Sequence, residues 1–480
     1  MTDAKEIASG EPLGSGHKAL RINLDAGKYG TFAEIGAGQE VARWFFHVGG
    51  AAGTVAKSIS AYDMAVSDAI YGPSDRYVSR QRLQAMLDYE FNLLLQRLDQ
   101  ARGEKSSFFV FADTVTTRSY THRDEGHGWL GVKFQTRPRE APSEIIIHVR
   151  MLDPENARQQ EALGIVGVSL IYGAFFLHDA PERLIASLLD NLQRQRIEVD
   201  LIKFAGPRFA DLDNRLMALQ LVEQKLTDCA MFTAEGETVI PGEVLYKKPV
   251  LVERGSFRPL TNPMFDMLER AREQFVREEG LKSEAPVVIM EMTLRRLQVG
   301  DAIDHRDFLD RVDTLRAVGR AVVVSNFFRY HRLVTHLSRH TQKMIGLPLG
   351  LERLRDVLDE KFYADLEGGL MESLGQLFKN GAKLYVYPWL DRKTGKLFTL
   401  ENLQVAPHLR HLYAHLVENR FIEGIRGYHP DFLAIDSADV LARIKAGDED
   451  FASLVPAPVA ETIKRGGMFG WPASAAPVTV

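Results

Sequence analysis

The sequence predicts an α/β protein of two domains, the second carrying a Rossmann-like, partly parallel sheet. Three observations lead there. A chain of 480 residues exceeds what one hydrophobic core serves. A strongly periodic helix over 80–98 is followed by strand-like runs at 107–112 and 144–151. Beyond 285 the pattern becomes strand, helix, strand at 287–292, 306–318 and 321–325, the spacing of two parallel strands joined by a crossover helix.

Taken in order, residues 1–17 are polar, carry no apolar signal-peptide core and read as a flexible arm. A short strand is expected at 31–35, helical character at 39–46 and a continuing helix over 55–70. In the 80–98 helix, Leu83, Met86, Leu87, Phe91, Leu94, Leu95 and Leu98 recur at three- and four-residue steps. The runs at 107–112, 129–134 and 144–151 are rich in β-branched and aromatic residues and fit one sheet. The uncharged stretch 162–177 is shorter than the roughly 20 residues that span a bilayer and contains Gly164, Gly167 and Gly173, so it reads as buried core. Helices at 181–195 and 213–231, a strand at 198–204 and extended segments at 243–246 and 249–252 complete an N-terminal domain of 18–255. Turn formers and charge at 255–285 mark the boundary. The C-terminal domain covers 256–464, with a third strand at 383–388, and 465–480 reads as a tail.

Composition bounds the function. The formal charge of −5 gives no overall basic excess for nucleic acid, and no segment suggests a membrane partner. The single cysteine, Cys229, excludes an internal disulfide and any multi-cysteine metal site, and fits a reducing cytoplasm.

Four constellations could carry chemistry. Six glycines fall within 30–53, including Gly36 and Gly38, and Lys57 and Ser58 follow. The segment matches neither Gly-x-Gly-x-x-Gly, because Val41 holds the third position, nor the P-loop pattern, because Ala51 and Ala56 interrupt it. It reads either as a noncanonical anion site or as a device for close helix packing. A loop at 121–128 holds His122, Asp124, Glu125 and His127, with His122, Asp124 and His127 suited to a divalent metal and a polar hairpin tip as the alternative. His408, His411 and His415 share a helix face by spacing, either as metal ligands or as boundary histidines. Last, Asn326, Arg329, His331 and Arg332 follow directly on a strand, where open α/β sheets bind ligands and helix N-termini favour anions; a solvated helix face is the competing reading.

The stretches 29–43, 60–72, 204–215 and 245–259 resemble a poorly characterised bacterial family of about this length, also found in cyanobacteria, whose members are sometimes termed nicotinate-nucleotide adenylyltransferase-like. The resemblance implies a nucleotide ligand. Such transferases carry His-x-Gly-His near the start, and the nearest match here is Asp124-Glu-Gly-His127, without the first histidine. No catalytic residue is therefore carried over.

The leading functional expectation is binding of a nucleotide or phosphorylated metabolite, with group transfer as its enzymatic form. Its contacts would be Gly36, Gly38, Lys57, Ser58, Asn326, Arg329 and Arg332 in an interdomain cleft. The alternatives are a non-catalytic regulatory or homo-oligomeric assembly protein, drawn from the small residues at 49–56 and 162–173, and a metal-dependent hydrolase.

Overall fold

The computed structural model describes residues 13–118, 126–281, 284–300, 302–379 and 381–472. The chain divides into two compact units, Met1–Asp228 and Cys229–Val480, each mixed α/β.

The first unit is built on six strands: β1 (Lys28–Gly36), β2 (Val55–Ile59), β3 (Ser107–Thr116), β4 (Gly126–Phe134), β5 (Ser143–Met151) and β6 (Ile197–Ala205). They lie in the order β2-β1-β3-β4-β5-β6. The pairs of β1 with β2 and β3 are parallel, and the remaining pairs are antiparallel. Its helices are α1 (Ser15–Asn23), α2 (Val41–His47), α3 (Met64–Tyr71), α4 (Arg80–Arg102), α5 (Asn156–Phe176), α6 (Pro181–Ser187) and α7 (Asn214–Glu223). Phe32, Phe45, Phe109, Phe111, Val166 and Ile171 belong to one buried core. On α4, capped by Ser79, the apolar stripe read from sequence is buried at Leu83, Met86, Leu87, Phe91 and Leu94. The 162–177 stretch is the buried part of α5. A Cβ on Gly167 would stand 2.4 Å from Val41 Cγ2, and one on Gly173 2.6 Å from Leu184 Cγ, so these small residues let α5 approach α2 and α6.

The second unit holds β7 (Cys229–Phe232), β8 (Thr238–Val239), β9 (Val250–Arg254), β10 (Val287–Thr293), β11 (Ala321–Ser325), β12 (Ile345–Gly350), β13 (Ala382–Tyr387) and β14 (Ile422–Gly424). The order is β14-β13-β12-β9-β10-β11-β7-β8. All pairs from β14 to β11 are parallel, and β7 joins β11 antiparallel. Counted from β9, the six parallel strands follow the doubly wound order 3-2-1-4-5-6, the Rossmann arrangement. The helices relevant to the carboxyl edge are α8 (Pro241–Leu245), α9 (Asn262–Phe275), α10 (Leu294–Leu297), α11 (His305–Ala317), α12 (Tyr330–Leu337), α13 (Leu351–Val357), α14 (Gly369–Phe378) and α15 (Arg410–Glu418). Among the described residues no helix is long and apolar enough to cross a membrane.

Several sequence expectations are corrected. The helix expected over 55–70 is β2 followed by α3, because Val55–Ile59 pairs with β1 and Asp63 caps α3 through the Val66 N–H at 3.1 Å. The helix expected over 213–231 ends at Glu223, and Cys229–Phe232 becomes a strand whose apolar residues are all buried. The 181–195 helix stops at Ser187, and the extended segment expected at 243–246 falls largely in a short proline-led helix, Pro241–Leu245. The domain boundary moves from 255 to 228, because β7, β8 and β9 all pair into the second sheet. The supposed arm loses its last residues to α1, which begins at Ser15, and the first residues of the supposed tail are structured, because α-helix continues to Gly466 and a turn of 3₁₀-helix spans Met468–Gly470.

Candidate functional site

In a doubly wound sheet, ligands bind outside the carboxyl ends of the strands where the strand order reverses. In the second unit that point lies between β9 and β12. A cavity of about 510 Å³ opens along this edge. Arg254 ends β9; Thr293, Arg295 and Arg296 close β10 and enter α10; Asn326, Phe328, Arg329 and Tyr330 link β11 to α12; Arg353 and Asp356 lie on α13; Phe362 and Tyr363 follow it. The apolar strand residues are consumed by the core, and the polar residues that immediately follow them face the crevice.

Arg254 is held rigidly. Its Nε and Nη2 donate to Glu291 Oε2 and Oε1 at 2.5 and 3.0 Å, and its Nη1 donates to the Phe328 carbonyl at 3.1 Å. Ser325 Oγ donates to the same Glu291 carboxylate, which is fully buried. The guanidinium also lies 4.5 Å from the Tyr330 ring centroid. A planar forked pair of this kind fixes orientation as well as charge.

The other cationic groups are less committed. Among the described residues the Arg296 guanidinium has no hydrogen-bond or ion-pair partner. Burial holds it below the usual arginine range, and Arg353 and Arg254 push in the same direction. Arg295 lies over the Phe328 ring at 5.2 Å. Arg329 pairs with exposed Asp365, yet its buried Nε has no acceptor among the described residues. Arg353 Nη1 is 2.9 Å from Asp356 Oδ2 in an exposed pair. The buried Tyr330 hydroxyl likewise has no partner among the described residues, and burial raises its pKa, so it is present as an O–H donor. The edge thus offers more guanidiniums than carboxylates, two buried donors with nothing to donate to, and the paired rings of Phe328 and Phe362, 6.0 Å apart.

Of the residues singled out in the sequence, Asn326 and Arg329 line this cavity. Arg332 is exposed on α12 and outside the lining, while His331 turns inward, its Nδ1 2.8 Å from Ser373 Oγ. Gly36, Gly38, Lys57 and Ser58 belong to the first unit. There the N-terminus of α2 is already occupied: Glu34 accepts from Val41 N–H at 2.9 Å and Ala42 N–H at 3.2 Å. Gly36 has φ +76°, and a Cβ on it would stand 2.2 Å from the Val115 carbonyl oxygen. A Cβ on Gly38 would stand 2.0 Å from Asp113 Oδ1. These glycines therefore make room for the chain's own carboxylates and backbone. Lys57 pairs with Glu90, which also accepts from Tyr71 Oη at 2.9 Å, and Ser58 is exposed on the edge strand β2. Glu34 and Asp113 sit opposite one another on β1 and β3. Burial pushes Glu34 up to about 7. Burial, then the neighbouring Glu34, pushes Asp113 upward too.

Of the proposed metal ligands, His122 and Asp124 lie outside the described residues. His127 Nδ1 is 3.2 Å from His148 Nε2, and His148 Nδ1 is 2.6 Å from Asp200 Oδ1, beneath the Trp129 ring. This is a hydrogen-bonded chain across β4, β5 and β6. His408 contacts Glu360 at 2.7 Å, His411 contacts Arg410 at 3.4 Å and His415 contacts Asn419 at 3.2 Å, so the three point to different neighbours. Among the described residues no group of three or more His, Cys, Asp or Glu side chains could hold a metal. Cys229 is buried in β7.

Sequence reasoning passed over Arg254, Arg295, Arg296, Tyr330 and Arg353. Their one signal was local: Val-Leu-Val-Glu-Arg254 and Met-Thr-Leu-Arg-Arg296 each end an apolar strand run with arginine.

No protein-family model and no curated protein matches the chain. Among solved structures it is similar to competence/damage inducible protein CihA from Agrobacterium tumefaciens, at 18% identity and TM-score 0.25 over 34% of this chain and 95% of that one. It is similar to competence damage-inducible protein A (ComA) from Klebsiella pneumoniae, at 12% identity and TM-score 0.25 over 33% and 92%. A competence-damaged protein (CinA) superfamily protein from Enterobacter cloacae gives 12% identity and TM-score 0.24 over 33% and 89%. Likenesses this slight bear no functional argument, and none of them supports the nicotinate-nucleotide adenylyltransferase expectation.

Proposed function

We propose that the second unit binds a nucleotide or closely related phosphorylated small molecule in the arginine-lined crevice at the carboxyl edge of its parallel sheet. One observation carries the reading. In the crevice lining, the buried Arg329 Nε and Tyr330 hydroxyl have no acceptor among the described residues, and Arg296 stands there without an ion-pair partner, beside Arg295, Arg353 and the pre-set Arg254. Leaving buried donors unsatisfied is costly, and a phosphate supplies several acceptor oxygens and the missing negative charge. Phe328 and Phe362 suit a flat ring attached to that phosphate. The cavity volume of about 510 Å³ falls in the range of small-molecule sites.

Calorimetric titration with pyrophosphate, AMP and ADP tests it. ADP should bind, with affinity falling as salt rises. Arg296→Gln should weaken binding by about 10- to 150-fold, the worth of one charge-assisted hydrogen bond of about 1.5–3 kcal/mol. Absence of binding by all three ligands, or ADP affinity unchanged in Arg296→Gln and Arg329→Gln, rejects the reading.

A further inference from the structure

A second cavity, of about 300 Å³, lies along the same carboxyl edge, beyond α13. Its residues follow β12, β13 and β14, the other half of the doubly wound sheet. An apolar floor of Val386 and Leu400 meets a polar side formed by Thr399, Glu401, Arg426 and Tyr428. Its one guanidinium, Arg426, is exposed and already 3.5 Å from Glu423 Oε1, so this cavity adds no cationic pull like that of the arginine cavity. The two cavities share α13: Leu351 lines the second and Arg353, two residues later, the first. Residues two apart on a helix point to opposite sides, so the cavities flank α13 with only its first turn between them.

We infer that the second cavity is a subsite for a neutral, hydroxyl-bearing group carried on the far phosphate of a nucleoside diphosphate. The inference rests on the proposed function and narrows the ligand class to nucleoside diphosphate conjugates. The arginine cavity takes the anionic part. Glu401 accepts hydrogen bonds from hydroxyl groups of the attached sugar, and Tyr428 packs on its apolar face. Each half of a doubly wound sheet then holds one half of the ligand, as the fold permits. At about 300 Å³, the second cavity is at the small end for ligand sites and suits a single sugar-sized group.

The chemistry of the two cavities gives opposite predictions for a simple comparison. ADP carries more negative charge than ADP-ribose, and UDP more than UDP-glucose. A purely cationic site therefore prefers the unconjugated diphosphates. With the second subsite in use, the conjugates bind at least tenfold more tightly. Calorimetric titration of the full chain with these four ligands reads that ratio directly. Glu401→Gln and Tyr428→Ala should each bring the conjugate-to-diphosphate ratio down severalfold towards one, whereas Arg296→Gln weakens both members of each pair. Diphosphates binding as tightly as their conjugates, or a ratio indifferent to Glu401→Gln and Tyr428→Ala, overturns the subsite and leaves the arginine site standing. Failure of all four ligands to bind overturns both.

Discussion

Replacing Glu34 by Gln should reverse part of a pH-dependent instability in the first unit. Glu34 is 3% exposed and caps α2 with its carboxylate while facing buried Asp113 across β1 and β3. Burial lifts its pKa from 4.5 to about 7. Below pH 4.5 both the folded and the unfolded chain hold this proton, and the group contributes nothing to the pH dependence. Between 4.5 and 7 the unfolded chain releases the proton while the folded chain keeps it. Unfolding gains, and stability falls as pH rises through that window. At 1.36 kcal/mol per pH unit, the loss above pH 7 is about 3 kcal/mol. Glutamine has the same shape and does not titrate; its one amide oxygen takes one of the two α2 N–H groups, and the loss of the other acceptor is a cost that does not change with pH. The difference in stability between Glu34→Gln and the parent should therefore shift by about 3 kcal/mol in favour of the variant from pH 4 to pH 8. For a unit of this size that corresponds to about 6–12 °C in melting temperature. Urea unfolding at several pH values, read by fluorescence in a Trp389→Phe, Trp471→Phe background, leaves Trp44 and Trp129 as reporters of the first unit. A stability difference that does not change with pH would falsify the assignment of a buried, proton-holding carboxyl pair.

Two further outcomes follow from the same unit. Gly38→Ala should destabilise it by about 1–3 kcal/mol, since the new methyl would lie 2.0 Å from Asp113 Oδ1, and Asp113→Ala should recover much of that loss in the double variant; additive losses in chemical denaturation would contradict the contact. His127, held down to about 4 by burial and then by His148, should stay neutral through pH 5 in nitrogen-detected NMR, with its proton on Nδ1 when both rings are neutral; a titration midpoint near 6.5 would contradict the buried chain to Asp200.

The parts of this fold that were legible in sequence are those where local pattern and tertiary need agree. Leu83 to Leu94 on α4 are buried as the periodicity requires, and the β-branched and aromatic runs of β3, β4 and β5 are buried almost throughout. The crossover β10–α11–β11 was legible for the same reason: a buried parallel strand reads as an unbroken apolar run. Val55–Ile59 was misread because a five-residue edge strand between two helices carries no period of its own. Its identity comes from pairing with β1, some 25 residues earlier. Cys229–Phe232 was misread because Ala and Met suit helices, and pairing with β11 and β8 decides otherwise.

The glycine segment and the arginine edge show why motif position misleads about sites. Both begin at the end of a parallel strand, where backbone N–H groups and helix N-termini favour anions. In the first unit the chain supplies the acceptor itself. Glu34, two residues before Gly36, reaches the first N–H groups of α2, and Gly36 and Gly38 make room for the Val115 backbone and the Asp113 carboxyl. In the second unit, α12 begins at Tyr330 with no side-chain cap, and the buried carboxylate of Glu291 is already spent on Arg254 and Ser325. The edge is left with more guanidiniums than carboxylates, with Asp365 paired to Arg329 and Asp356 to Arg353. A glycine-rich turn is visible in a linear reading whether or not its N–H groups are free. Arginines 254, 296, 329 and 353 are spread over a hundred residues and meet only through the strand order, so the better candidate was the less visible one.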